Sequence, residues 1–377
     1  VPLVVNRKNH FKIILLAAIL VVIYNEWLTY YLQTLKWPTL ECPNEDGCVK
    51  ILLVADPQIL GEQSENPLLT LIFNLDSDGY LYVYFCRFLA KTYARVVSYF
   101  RPDVVVFLGD LMDEGSYASR PEFYRYVKRI PQIFNTEHPI KHVWIPGDND
   151  IGGENEPIHP EKIKMFEEAF NQPDVISVKY VDIYKTNYLT QLLPDSPHSH
   201  PSSNVTKVAI SHMPLLLTPD RFSANVLTSI QPAVIFSGHR HLASYLEATI
   251  DNLFKKNRIK ILRPQDDNQV MEIEFKPEEF HEFIIPTCSY RMGARDVGYG
   301  AAIIGMFWYI FWLFFRMWCH VAFPLLLESK EQRCERAKCK VALGRFWSYE
   351  SITRLRVLGC IYSQTSRRVN IRLLSIK

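Results

Sequence analysis

The chain has 377 residues, of which 22% are charged, and its 42 Lys and Arg against 40 Asp and Glu leave a formal net charge of +2. So even a balance excludes the basic footprint of a nucleic-acid-binding protein, and the length suits one large or two small domains. Apolar residues make up 48% of the chain but gather unevenly, with long runs near both ends.

Residues 1–10 are short and basic, with Arg7, Lys8 and His10. An apolar run from Ile13 to Tyr24 follows, is broken by Asn25-Glu26, and resumes at Trp27-Leu-Thr-Tyr-Tyr-Leu32. Three readings compete for it: signal peptide, signal anchor or buried helix. Glu26 counts against a clean span. The missing small-residue cleavage site and the interfacial aromatics favour a signal anchor over 11–32. Residues 33–48 form a polar neck. In a lumenal setting Cys42 and Cys48 are candidates to close a small disulfide loop, with unpaired thiols the other reading.

Five apolar strands then end in metal-ligand residue types. Ile51-Leu-Leu-Val-Ala ends in Asp56-Pro-Gln58. Val104-Val-Val-Phe-Leu ends in Gly109-Asp110, with Asp113 close behind. His142-Val-Trp-Ile-Pro ends in Gly147-Asp148-Asn149-Asp150. Val208-Ala-Ile-Ser ends in His212, and Ala233-Val-Ile-Phe-Ser in Gly238-His239-Arg240-His241. Each motif alone is an ordinary turn. In α/β sheets, however, the carboxyl ends of strands share one edge where sites form. Carboxylates and imidazoles converging there suit a two-metal hydrolytic centre. His239 and His241 lie two apart, so an extended segment points both to one side.

Between and after these strands the pattern predicts helices over Phe88–Phe100, stopped by Pro102, from Pro121 to about Asn135, and over Glu161–Phe170. Strands are expected at Lys179–Tyr184, Gln269–Phe275 and His281–Ile285. His198 and His200 lie in a Pro- and Ser-rich stretch and read as solvated loop histidines. Asn204-Val-Thr206 is a glycosylation sequon. Gly298 to Phe315 is a second apolar, aromatic run, closed by Ala322–Leu327, and reads as a second span. The tail 328–377 carries twelve Lys and Arg against four Glu, so both ends point to the cytoplasm and the intervening domain to the lumen.

The motif order Asp-x-x, Gly-Asp-x-x-Asp, Gly-Asp-x-Asp, His-x-Pro, Gly-His-x-His resembles the calcineurin-like metallophosphoesterase superfamily. Asp-Pro-Gln-Ile-Leu-Gly, Gly-Asp-Leu-Met-Asp-Glu-Gly-Ser, Gly-Asp-Asn-Asp-Ile-Gly-Gly-Glu and Pro-Thr-Cys-Ser-Tyr-Arg are most similar to its branch of phosphodiesterases that remodel the glycosylphosphatidylinositol (GPI) anchor. The resemblance covers roughly 10–327 and includes an acid in the first membrane segment. It implies an α/β fold, a β-sandwich flanked by helices over 49–297, with transmembrane helices at 11–32 and 298–327. It also implies two divalent metal ions, with manganese favoured. One would be held by Asp56, Asp110 and His241, the other by Asp110, Asp148, His212 and His239. The implied activity is hydrolysis of an ethanolamine phosphate branch of the GPI glycan, supporting export of GPI-anchored proteins from ER exit sites through the intermediate compartment to the cis-Golgi. Its partners would be GPI-anchored substrates, the membrane and cargo receptors.

Three departures from the family pattern stand out. Gln58 replaces a usual His. Asp148-Asn149 replaces Asn-His, which keeps an oxygen ligand but removes the proton donor to the leaving group, worth roughly 10²–10⁴ in rate. Residues 66–87 carry extra apolar residues, with Gly79 where the family has Arg, and read as a local insertion or gene-model error. Arg240, Arg291 and Arg295 are candidates to hold phosphate. A catalytically weak metal- and glycan-binding receptor, and a phosphatase for another lipid or a nucleotide, are the other readings of the same site.

Overall fold

A computed structural model gives the fold and describes residues 7–35, 48–61, 80–136, 139–154, 156–194, 205–249, 252–253, 260–261, 270–274, 279–289, 358–364 and 370–376. The helix α1 (Arg7–Ile23) runs through a π-helical turn (Tyr24–Leu28) into α2 (Thr29–Thr34). Next come β1 (Cys48–Val54), α3 (Tyr80–Phe100), β2 (Val104–Phe107), α4 (Arg120–Ile133), β3 (Lys141–Trp144), the short α5 (Asp148–Ile151) and α6 (Pro160–Ala169). The second half holds β4 (Val175–Val178), β5 (Val181–Lys185), β6 (Thr206–Ser211), α7 (Arg221–Ile230), β7 (Val234–Ser237), β8 (Ser244–Thr249), β9 (Lys260–Ile261), β10 (Val270–Glu274) and β11 (Glu279–Ile284). Two further strands follow, β12 (Leu358–Gln364) and β13 (Asn370–Ile376).

The strands form two mixed sheets, ordered β10-β13-β12-β1-β2-β3 and β4-β5-β6-β7-β11-β8-β9. β1, β2 and β3 are parallel, as are β5, β6 and β7. Period-two alternation decides what each strand packs against. Ile51, Leu53, Val104 and Val106 face the other sheet and meet Ile183, Val208, Ile210 and Phe236. Leu52, Val54, Val105 and Phe107 face outward beneath α3, α4 and α6. α7 covers the far face of the second sheet through Phe222, Val226 and Leu227. With both faces of each sheet covered, the central strands read as unbroken apolar runs. Each fully buried Val, Leu or Ile contributes about 1.5–3 kcal/mol. The architecture is the expected α/β sandwich flanked by helices.

Helix starts carry local signals. The Ser119 N–H donates to Glu122 (2.6 Å) at the head of α4, and Asp220 accepts from the Ser223 N–H (2.9 Å) at the head of α7. Some boundaries differ from expectation. α3 begins at Tyr80 rather than Phe88, because the apolar residues preceding Phe88 continue its helix. The strand expected at 179–184 is β5, which starts at Val181 because residues 179–180 form the turn that joins it to β4. Within the stretch expected as a basic tail, 358–364 and 370–376 are strands, and β12 lies antiparallel to β1. That pairing closes an edge β1 would otherwise leave open.

Among the described residues one helix, Phe11–Leu32, is long and apolar enough to cross a membrane. The second apolar run at 298–327, most of the neck, residues 62–79, Cys42, His198, His200, Asn204, Arg291 and Arg295 lie outside the described residues.

Candidate metal centre

The parallel strands deliver their carboxyl ends to one edge, where the backbone takes an uncommon form. Nine non-glycine residues among those described have positive φ, and five of them sit here: Asp56 (48°), Gln58 (42°), Asp110 (51°), His239 (66°) and His241 (56°). Each such residue costs on the order of 1–2 kcal/mol. Strain gathered at one edge marks a site whose surroundings over-determine it. Gly109 (φ 89°) and Gly147 permit the close approach. A Cβ on Gly109 would come within 2.6 Å of His212 Nδ1, and one on Gly147 within 2.2 Å of Asp110 Oδ1.

Two overlapping groups of ligand atoms result, Asp148–His212–His239 and Asp56–Asp110–His212, the atoms of each within 4.8 Å of one another. His212 Nε2 lies 2.9 Å from Asp148 Oδ1 and 3.4 Å from Asp110 Oδ1. Its Nδ1 is 2.7 Å from the Leu108 carbonyl, which fixes that nitrogen as the N–H donor and turns Nε2 toward the acids. His239 Nδ1 lies 3.1 Å from Asp148 Oδ1, and its Nε2 lies 3.6 Å from Glu154 Oε1 at the rim. The His239 N–H donates to Asp56 Oδ1 (3.0 Å), linking the last histidine motif to the first acid. Asp110 Oδ2 accepts from Gln58 Nε2 (3.0 Å) and Asn149 Nδ2 (2.8 Å), while its Oδ1 accepts from the Asn149 N–H (3.0 Å).

Burial sets the electrostatics. It pushes Asp56 up to about 7, against the pull of His212. It raises Asp110 likewise, with the Asp148 charge adding to the rise. At Asp148 burial also opposes ionisation, but hydrogen bonds from His212 and His239 outweigh it and hold the carboxyl below its ordinary range. Burial lowers His212, yet Asp110, Asp148 and Asp56 together carry it well above its ordinary value. His239 is raised by the same balance, its bond to Asp148 outweighing burial. His241 is pushed down to about 4 by burial and then by the charges of His239 and His212. Carboxylates crowded together and cut off from water call for cations. Oxygen and imidazole-nitrogen donors at this spacing suit divalent first-row metals. Gln58 Oε1 is buried without a hydrogen-bond partner, a further donor that an ion would satisfy. The residues fit metal binding.

Of the residues the sequence singled out, Asp56, Asp110, Asp148, His212 and His239 come together. His241 is not in either ligand group; its Nε2 lies 3.5 Å from Gln58 Nε2, which donates to Asp110, and the histidine grouped with Asp56 and Asp110 is His212. Gln58 lies inside the site as a donor to Asp110. Asn149 is also inside, with its amide engaged by Asp110. Arg240 is exposed, and its charge lies near enough to help depress His241.

Three acids with no assigned role prove structural neighbours of the site. Asp150 is fully buried and accepts the N–H groups of Leu111, Met112 and Gly147 (2.9–3.1 Å), stitching the loop after β2 to the loop after β3. Burial and the Asp110 charge push it up to about 7. Glu282 accepts the N–H groups of Leu215 (2.8 Å) and Leu216 (2.6 Å), pinning the loop behind His212. Glu154 faces the outer nitrogen of His239. The signal for Glu282 was an acid inside an apolar strand. Asp150 stood in a motif already noted, without a reason to separate it from Asp148.

A family model for the calcineurin-like phosphoesterase matches residues 49–243. Among curated proteins, the chain is 28% identical over 166 residues to the metallophosphoesterase 1 homolog of Caenorhabditis elegans, covering 44% of this chain and 41% of that protein. It is 27% identical over 188 residues to metallophosphoesterase 1 of Ailuropoda melanoleuca, covering 48% and 45%. It is 25% identical over 293 residues to cell division control protein 1 of Saccharomyces cerevisiae, covering 68% and 56%. The chain thus spans less than two thirds of the length of each of these relatives.

Proposed function

The chain belongs to the calcineurin-like phosphoesterase family, and from that premise we propose that it is a membrane-anchored, two-metal phosphodiesterase that removes an ethanolamine phosphate branch from the GPI glycan. The observation that carries the reading is the meeting of Asp56, Asp110, Asp148, His212 and His239, from five separate strand ends, in one strained and buried cluster.

Asp148, His212 and His239 would hold one ion. Asp56 and Asp110 would hold the other, with Asp110 between the two and His241 and Gln58 on its far side. Bound there, divalent ions supply Lewis-acid activation of water and of the phosphoryl oxygens. The chain prepares the ligands for this. Leu108 fixes the His212 tautomer, and Gln58 and Asn149 orient the Asp110 carboxylate. Manganese is the preferred ion on the family resemblance. The apolar helix Phe11–Leu32 supports a membrane setting, which confines enzyme and lipid-linked substrate to one plane. The compartment would be the early secretory pathway, with GPI-anchored proteins as substrates and their cargo receptors nearby.

A second reading, a metal-binding receptor for GPI cargo with weak turnover, is favoured by one observation. The Asn149 amide donates to Asp110 and offers no proton to a leaving group. The two readings part in one experiment, in which the full chain is reconstituted with Mn²⁺ and a GPI glycan bearing ethanolamine phosphate. Release of ethanolamine phosphate, abolished in Asp110→Asn, supports the enzyme. Glycan binding without release supports the receptor.

A further inference from the structure

The N-terminal helix changes character at its middle. From Phe11 to Ile23 its apolar side chains are exposed, among them Phe11, Leu16, Leu20 and Val22. At Tyr24–Leu28 the helix widens into a π-turn, where the Thr29 N–H and hydroxyl both donate to the Tyr24 carbonyl. Such turns shift the register of the side chains that follow and recur at functional positions. Here Asn25 and Thr29 become buried, and Glu26 turns toward α3. Its carboxylate pairs with Arg87 (2.9 Å) and with the Lys91 ammonium, which also donates to the Glu26 carbonyl (3.0 Å). One turn on, Tyr30 packs on Phe88, with ring centroids 6.4 Å apart, and Lys91 lies over the Tyr30 ring.

We propose that Glu26 is a docking residue that clamps the membrane helix to α3 of the catalytic domain through Arg87 and Lys91. The lipid boundary then falls between Ile23 and Glu26, and the domain rests on the bilayer surface in one orientation. This rests on the membrane-anchor reading above. A charged carboxylate inside hydrocarbon is costly, and pairing it there would drag Arg87 and Lys91 of the folded domain to the same depth. The boundary removes both difficulties. The stacked pair Trp27–Tyr31, with centroids 5.7 Å apart, is exposed at that level, where amphipathic rings meet phospholipid headgroups. The eleven apolar residues Ile13–Ile23, preceded by Lys12, extend about 16 Å at about 1.5 Å each. That is about half of an average hydrocarbon core of about 30 Å, so with the boundary at Glu26 the helix enters the bilayer and is seated in it without crossing. β1 and β2 are parallel and α3 lies between them in the chain, so α3 runs back against them with its first half toward the strands' carboxyl ends. Arg87 lies in the half of α3 nearer the site, so the clamp holds that edge close to the membrane and to a lipid-linked glycan.

The test uses the full chain in phospholipid vesicles. A zero-length carbodiimide is expected to join Glu26 to Lys91, a link read by mass spectrometry and lost in Glu26→Gln and in Lys91→Arg. A photoreactive phenylalanine analogue replacing Leu20 is expected to capture phospholipid, and one replacing Tyr30 to capture the 87–91 segment. Capture of phospholipid from both positions overturns the boundary. Absence of the Glu26–Lys91 link in membrane-bound chain overturns the clamp alone. Release of the chain by alkaline carbonate overturns the anchor reading, and with it the boundary.

Discussion

Gly147 and Gly238 both stand beside metal-ligand candidates, yet a methyl group should affect them very differently. On Gly147, a Cβ would lie 2.2 Å from Asp110 Oδ1 and 2.4 Å from the Asp110 backbone nitrogen. Neither atom is the loose end of a side chain, since Oδ1 is held by the Asn149 N–H at 3.0 Å. Ordinary carbon contacts begin near 3.5 Å, so Asp110 must retreat by on the order of 1 Å. Overpacking of this kind costs roughly 1–3 kcal/mol. A shift of about 1 Å in a positioned group costs about 10²-fold in rate. On Gly238, the nearest neighbours are Asp56 Oδ2 at 3.2 Å and Leu108 O at 3.3 Å, which a few tenths of an ångström relieve. Gly147→Ala should therefore lower the melting temperature, the metal content and the turnover of a generic phosphodiester, while Gly238→Ala should stay within a few-fold of the parent. Thermal melts, metal analysis and steady-state kinetics on both variants decide the matter. Full metal and activity in Gly147→Ala would refute the claim that Asp110 is held by close packing against that turn.

Other expectations follow from the same geometry. Asn149→His supplies the missing proton donor, so turnover should rise by up to roughly 10²–10⁴ and fall again as pH climbs through about 6.5; unchanged kinetics would show that leaving-group protonation does not limit the rate. Glu154→Gln should weaken metal binding by about 10–100-fold, measured by titration calorimetry, because Glu154 faces the outer nitrogen of His239. In chelator, stability should fall as pH rises from about 4 to about 7, because burial holds Asp56, Asp150 and Glu282 each up to about 7. Over that window the folded chain binds more protons than the unfolded one, so raising pH favours unfolding. Denaturant melts at pH 5 and pH 8 should show this, and saturating Mn²⁺ should reverse it by favouring ionised ligands.

The strand ends were legible because the chemistry there violates the local pattern. Val104–Phe107 is an unbroken buried strand, and an Asp three residues after it has no cheap structural use. Gly109 and Gly147 marked the turns for the same reason. What the sequence hid depends on contacts across the fold. Asp148 and Asp150 stand two apart in one motif, and only the three N–H groups converging on Asp150 separate its stitching role from the ligand role of Asp148. The grouping of His212 with Asp56 and Asp110, with His241 outside it, reflects left-handed turns at His239 and His241 that an extended Gly-His-x-His segment does not suggest. Glu26 looked like a flaw in a membrane span because Arg87 and Lys91 lie more than sixty residues away. The strands near the C-terminus escaped notice because basic composition masked their pairing with β1.

Bound metal is the central requirement of this site. Elemental analysis of the full chain, purified with Mn²⁺ and assayed on a generic phosphodiester beside Asp110→Asn, tests it most directly. Two ions per chain with turnover, both lost in Asp110→Asn, is the predicted result. Turnover with no bound ion, or two ions retained in Asp110→Asn, would contradict a centre built around that carboxylate.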